Sequence, residues 1–283
     1  MNSPQKSFFI SPLKAIFLLC VIIMAMLHHA ANANHGDVKK PLIGIMLNDG
    51  GKGGYSDYPW YAMRQNYGRV IAELGGIPVF IGHDTQPIDD YIQVLDGILL
   101  TGGDLNTPEG AYTTGIKTFD PKKYPREYVE FQLVKKALEK NIPVLGICAG
   151  MQDMNLALGG TLIPNLKEVL KTPIQHRQEN REKLHHSIAI SEKSQLYKIV
   201  KTKSLKVNSN HRAGINKVSP VLVVTARAPD GVIEGFEVPG KRFFMGVMWH
   251  PEFMLTPEEK LLWKSFIQAS SEYRAEQVSL AAK

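Results

Sequence analysis

Four short apolar runs set the strongest limit on how this chain folds: PLIGIMLN from Pro41, IPVFIG from Ile77, DGILLTGGD from Asp96 and IPVLGIC from Ile142. Each is too short for a buried helix. Each is also apolar almost throughout rather than alternating, as expected of a strand covered on both faces in a parallel sheet. Segments with helical spacing separate them. One runs from about Asp57 to Leu74 and stops at Gly75-Gly76, and another runs from Arg126 to Lys140. A shorter segment spans Ile88 to Val94. This alternation predicts a doubly wound α/β fold, with a mostly parallel central sheet flanked by helices.

The chain changes character after AGMQDMNLALGG, which reads as a helix closed by glycines. From about Ser187 strands and turns dominate, giving an additional β-rich part in the C-terminal half. VLVVTARAP and GVIEGFEV flank Asp230-Gly231, where the positive φ angles of a type I′ turn would close a hairpin. The strand RFFMGVMW then delivers His250. A last helix is predicted from Pro257 to Tyr273, with the final ten residues frayed.

Residues 1–33 have the three parts of a secretory signal: Lys6 and Lys14, the apolar run AIFLLCVIIMAML, and an Ala-x-Ala ending. The run is shorter than the roughly 20 apolar residues that span a bilayer. Cleavage after Ala33 is expected, leaving residues 34–283 as a single exported catalytic domain with its core at about 41–270, periplasmic or secreted. Of the two cysteines, Cys20 would leave with the signal, so the mature chain would hold only Cys148 and no intrachain disulfide. Loss of Lys6 and Lys14 leaves 31 basic against 27 acidic residues. That surplus is scattered and accompanies no nucleic-acid motif, so no nucleic-acid partner is expected, nor a membrane span once the signal is gone. The sequence does not fix whether the chain forms a homodimer.

Cys148 stands between the buried strand VLGI and a helix beginning near Ala149, in the pattern Gly146-Ile-Cys-Ala-Gly150. A tight strand-to-helix turn pushes such a side chain out of the sheet, and small flanking residues let the backbone bend. The positive end of the helix dipole favours an anion there. A buried inert thiol is the competing reading. His250 follows a strand and precedes Pro251-Glu252. An imidazole can take the thiol proton and return it to a leaving amine, and a carboxylate two residues on can orient the ring. The loop Asp49 to Gly54 contains Lys52 but lacks the ending of a phosphate-binding loop. The pair His185-His186 has no carboxylate or thiolate at metal-ligand spacing in the sequence, so no metal and no cofactor are expected.

GICAGMQ, WHPE, TGGDLNTP, VNSNHRAGI and ARAPDGVIEGFE together resemble class I glutamine amidotransferase-like proteins, with a flavodoxin-like core, and among them the peptidase C26 group. The similarity runs from Pro41 to about Phe266. It implies a γ-glutamyl hydrolase that acts on a small γ-glutamyl substrate through a thioester. Cys148 would be its nucleophile, His250 its general acid/base and Glu252 the orienting carboxylate. The resemblance also implies an oxyanion hole from the backbone of Gly102, Gly103 and Ala149, and substrate contacts from Gln152, Asn208, Ser209 and His211. The chain departs from the group's pattern at Ala149, Arg212 and Ala213, where Arg, His and Gln are usual. A glutaminase module feeding a synthetase and a non-catalytic binding protein on the same fold are the alternatives.

Overall fold

The four apolar runs become neighbouring parallel strands of one sheet. In the computed structural model, residues 40–103, 109–113, 115–116 and 120–282 are described, and the expected signal segment lies outside them. The strands are β1 (Leu42–Met46), β2 (Asn48–Asp49), β3 (Tyr61–Ala62), β4 (Ile77–Ile81), β5 (Gly97–Leu100), β6 (Val144–Ile147) and β7 (Leu162–Ile163). They continue as β8 (His186–Ile190), β9 (Ser204–Val207), β10 (Gly214–Ile215), β11 (Val223–Arg227), β12 (Ile233–Glu237) and β13 (Phe244–Val247). The helices are α1 (Gln65–Glu73), α2 (Ile88–Val94), α3 (Pro125–Lys140), α4 (Ala149–Ala157), α5 (Leu166–Leu170), α6 (Gln195–Val200) and α7 (Pro257–Ala281).

Nine strands pair in the order β4-β1-β5-β6-β13-β12-β11-β8-β9. From β4 to β13 every pairing is parallel, and from β13 to β9 every pairing is antiparallel. Successive residues of the parallel strands enter opposite layers, as the two-residue period requires. Ile43, Ile45, Leu99, Leu145, Ile147, Met245 and Val247 pack with α1, α6 and α7. Ile98, Leu100, Val144 and Phe244 pack with α2, α3 and α4 on the other face.

Three expectations are corrected. The helix expected from Asp57 begins only at Gln65, because Asn48–Asp49 pairs with Tyr61–Ala62 in a small ribbon and Gly50 N–H donates to Trp60 O at 2.7 Å. Tyr58, an apolar ring within that reading, is exposed. The β11–β12 hairpin exists, but its turn is not type I′. Only Gly231 has positive φ (+86°), and its N–H closes on Ala228 O at 2.9 Å, so a turn followed by a left-handed glycine makes the connection. The last residues do not fray, since α7 runs to Ala281. Arg274 Nη1 reaches Asp96 Oδ2 at 2.6 Å, and Arg242 bridges to Glu272 at 3.3 Å and Glu276 at 2.5 Å on that helix.

Candidate active site

Cys148 occupies a backbone conformation that L-residues rarely adopt, with φ +53° and ψ −106°. A strained turn of this kind is what lifts a nucleophile off the end of a strand. The surroundings explain its glycines. A Cβ on Gly146 would lie 2.9 Å from the Gly150 backbone, and one on Gly150 would lie 2.6 Å from the carbonyl carbon of Leu100. Helix and strand therefore touch backbone to backbone on both sides of the cysteine, which is free and buried.

His250 arrives from the neighbouring strand. β6 and β13 pair in parallel with Ile147 opposite Val247, so Cys148 and the segment Met248 to His250 leave the sheet side by side. A Cβ added to Gly102 would lie 2.9 Å from His250 Cε1 and 3.3 Å from Cys148 Cβ. The two side chains thus share one small space above that glycine. Glu252 stands on the 3-10 turn Pro251–Phe253, and its Oε1 lies 2.8 Å from His250 Nδ1. Trp263 Nε1 anchors that turn by donating to Pro251 O at 3.0 Å.

The electrostatics follow from this packing. Burial alone would lower the His250 pKa, but the negative charges of Glu252 and Cys148 outweigh it and raise the value to about 10. Burial pushes Glu252 up, yet His250 and Tyr67 hold it below its ordinary value. Arg64 adds a cation 3.3 Å from Glu252 Oε1. The constellation gathers a thiol, an imidazole and a carboxylate beside a cavity of about 830 Å³, with His250 Nε2 free of a hydrogen bond and the Cys148 thiol 3.9 Å from Asn210 O. Arg64, Arg177, Arg181 and Arg212 all line that cavity. Among the described residues Arg177 and Arg181 form no ion pair, and the carboxylates of Asp49 and Glu127 line the same cavity.

The peptidase C26 family model matches residues 41–252, which is most of the chain. The chain belongs to the peptidase C26 family. A glutamine amidotransferase-like protein of Rickettsia prowazekii is 31% identical over 279 residues, covering 82% of this chain and 98% of that protein. The γ-glutamyl-γ-aminobutyrate hydrolase of Escherichia coli K12 is 29% identical over 256 residues, covering 86% of this chain and 98% of the enzyme. A Thermoplasma acidophilum protein described as a GMP synthase component shares the fold, with a TM-score of 0.56 at 18% identity over 84% of this chain and 98% of its own. Membership of peptidase C26 and the likeness to hydrolases support a hydrolase.

Within this C26 chain the other predicted site residues divide into two groups. Gln152 and His211 line the cavity. Asn208 and Ser209 do not, and both are fully buried in its wall. Asn208 holds the His250 backbone, and Ser209 Oγ donates to His176 O at 2.8 Å. The hydrogen bonds of both side chains run to the backbone. Gly102 N–H donates to the Tyr67 hydroxyl at 3.1 Å, which among the described residues leaves Gly103 as the glycine with a free amide at this corner.

The expectation that His186 lacks a carboxylate neighbour is overturned. Glu234 Oε1 lies 3.0 Å from His186 Nε2, 3.3 Å from His176 Nδ1 and 3.6 Å from His211 Nε2. Sequence reasoning also missed Tyr67 and Arg64. Both stand on or beside α1, far along the chain from Cys148 and His250, and no local spacing marks them.

Proposed function

We propose that this protein hydrolyses γ-glutamyl amides through a Cys148 thioester. The observation that carries the reading is the Cys148, His250, Glu252 series at the mouth of an arginine-lined cavity. The thiolate attacks the γ-carbonyl, and the C–O double bond opens to a tetrahedral oxyanion. The N–H groups of Gly103 and Ala149 receive that charge, a contribution worth about a hundredfold in rate per donor. The His250 imidazolium gives its proton to the departing amine as the C–N bond breaks. Water then attacks the thioester, His250 takes a proton from it, and glutamate leaves with the thiolate restored. Arg177 and Arg181 are the cations that would meet the α-carboxylate of the γ-glutamyl group.

The test is a panel of γ-glutamyl-γ-aminobutyrate, other γ-glutamyl amides, folate polyglutamates and glutamine, with wild type and Cys148→Ala. The expected result is turnover of at least one γ-glutamyl amide by wild type and none by the variant. A mass increase of one glutamyl group on Cys148 in rapidly quenched samples would identify the thioester. Binding without turnover of any member would favour a non-catalytic protein, and glutamine turnover only with added partner would favour a glutaminase module. The reading includes export. N-terminal sequencing of the mature protein should begin at Asn34, and a product that keeps Met1 would refute it.

A further inference from the structure

Outside the Cys148 site the chain gathers three histidines around one carboxylate in its interior. His176, His186, His211 and Glu234 are 4%, 8%, 4% and 0% exposed. They come from four places in the sequence: the segment after α5, the start of β8, the loop after β9 and the middle of β12. One ligand atom from each of His176, His186 and Glu234 falls within 4.8 Å of the others. His211 stands beside this group, with its Nε2 3.6 Å from Glu234 Oε1.

The hydrogen bonds fix which way these rings face. His176 Nε2 is 2.9 Å from Asp230 Oδ2, an acceptor, so in the neutral ring that nitrogen carries the proton and Nδ1 presents its lone pair. His211 Nδ1 is 2.9 Å from Ala213 O, so Nε2 presents its lone pair. Both lone pairs face Glu234 Oε1. His176 Nδ1, His211 Nε2 and Glu234 Oε2 have no hydrogen-bond partner and are buried. Lone pairs aimed at a carboxylate in a dry interior repel, unless positive charge stands between them. Two extra protons would supply it, and so would one divalent cation.

Distances favour the cation. In a tetrahedral site with bonds of about 2.0–2.1 Å, ligand atoms stand about 3.3 Å apart. His176 Nδ1 and His186 Nε2 lie 3.3 and 3.0 Å from Glu234 Oε1. Ring centres around such an ion would be about 5 Å apart, and the His176 ring lies 5.0 Å from that of His186. His176 also has the outer acceptor that metal-bound imidazoles use, Asp230. Thr172 in turn donates to Asp230 Oδ2 at 2.6 Å. A second cavity, lined by His176, His186 and His211, gives an ion a way in.

We propose that His176, His186 and Glu234 form a structural site for a divalent transition metal, with zinc the best match to two imidazoles and a carboxylate whose fourth position is left to solvent. The ion ties the segment bearing Arg177 to the antiparallel half of the sheet, so it sets part of the wall of the substrate cavity without touching the reacting atoms.

The experiment uses the full chain with both Cys20→Ala and Cys148→Ala, so that no thiolate can capture metal. After stripping with a chelator and dialysis, the protein is titrated with Zn2+ at neutral pH, with bound metal measured by mass spectrometry and melting followed in parallel. One zinc per chain and a higher melting temperature are expected. Co2+ should give the visible bands of a four-coordinate site without thiolate charge transfer. Glu234→Gln in the same background should weaken binding by at least about tenfold, the loss typical even of outer-shell partners. Substoichiometric zinc with unchanged melting, or octahedral Co2+ bands, would overturn the site and leave a proton-bridged cluster. If Glu234→Gln does not fold, the Zn2+ and Co2+ titrations of the intact cluster still decide.

Discussion

Asn208 grips His250 by both ends of its peptide unit: its Oδ1 accepts from His250 N–H at 2.8 Å, and its Nδ2 donates to His250 O at 3.1 Å. The same amide also donates to Arg181 O at 2.7 Å. A fully buried side chain thus fixes the backbone from which the imidazole hangs. Asn208→Ala should lower stability by about 2–3 kcal/mol, since it strands two buried backbone groups. It should also reduce kcat at least about tenfold with little change in KM. Denaturant melts and steady-state rates check both. An unchanged kcat would show that the ring holds its place without this clamp.

Glu252 supplies the largest upward push on the His250 pKa, which stands at about 10. His250 therefore keeps its proton across the neutral range, and a rate that needs imidazolium falls only on the alkaline side. Glu252→Gln removes the charge, so His250 loses its proton at lower pH and the alkaline limb moves toward neutrality. The pH profile of kcat/KM should show this shift together with a rate loss of at least about a hundredfold. An alkaline limb that stays in place would mean that another group sets it.

Gly102→Ala is expected to separate activity from stability. The new methyl would press on His250 Cε1 at 2.9 Å, Tyr67 Oη at 3.1 Å and Cys148 Cβ at 3.3 Å. The sheet core beneath is untouched. The cost should therefore be modest in melting temperature and at least about a hundredfold in kcat.

Glu259 is buried at the start of α7, where its Oε2 accepts from Leu255 N–H and, at 3.3 Å, from Thr256 N–H. Burial raises its pKa from 4.5 to about 7, against those bonds. A carboxyl whose folded pKa exceeds its unfolded value favours folding when protonated. Its contribution to stability is thus greatest below about pH 4.5, is lost as pH rises to about 7, and is flat beyond. Glu259→Gln keeps an acceptor for the helix cap but carries no charge. Its melting temperature relative to wild type should climb between pH 5 and 7.5, by an amount equivalent to about 2 kcal/mol.

The parallel half of the sheet was legible because its strands are apolar on both faces, as in IPVLGIC, and because glycines punctuate the helices that cover them. The meeting of Cys148 and His250 was legible, because a short motif sits at each strand end. The residues before Gln65 misled because Tyr58 carries an apolar ring that the ribbon leaves in solvent. Asn208 and Ser209 misled differently: their motif was visible, but sequence cannot tell a side chain that faces a ligand from one that faces a peptide. The cluster around Glu234 was invisible, since His176, His186, His211 and Glu234 meet only once β8, β9 and β12 are assembled.

Cys148 and His250, the nucleophile and proton carrier of the proposed reaction, emerge from adjacent strands whose register is locked by one parallel ladder, while Arg64, Arg177, Arg181 and Arg212 sit beside α1 and on loops. In the proposed reaction, bond-making is therefore insulated from selectivity. The lining at positions such as Arg212 and Ala213 can be redrawn residue by residue while the ladder that holds the reaction centre stays intact.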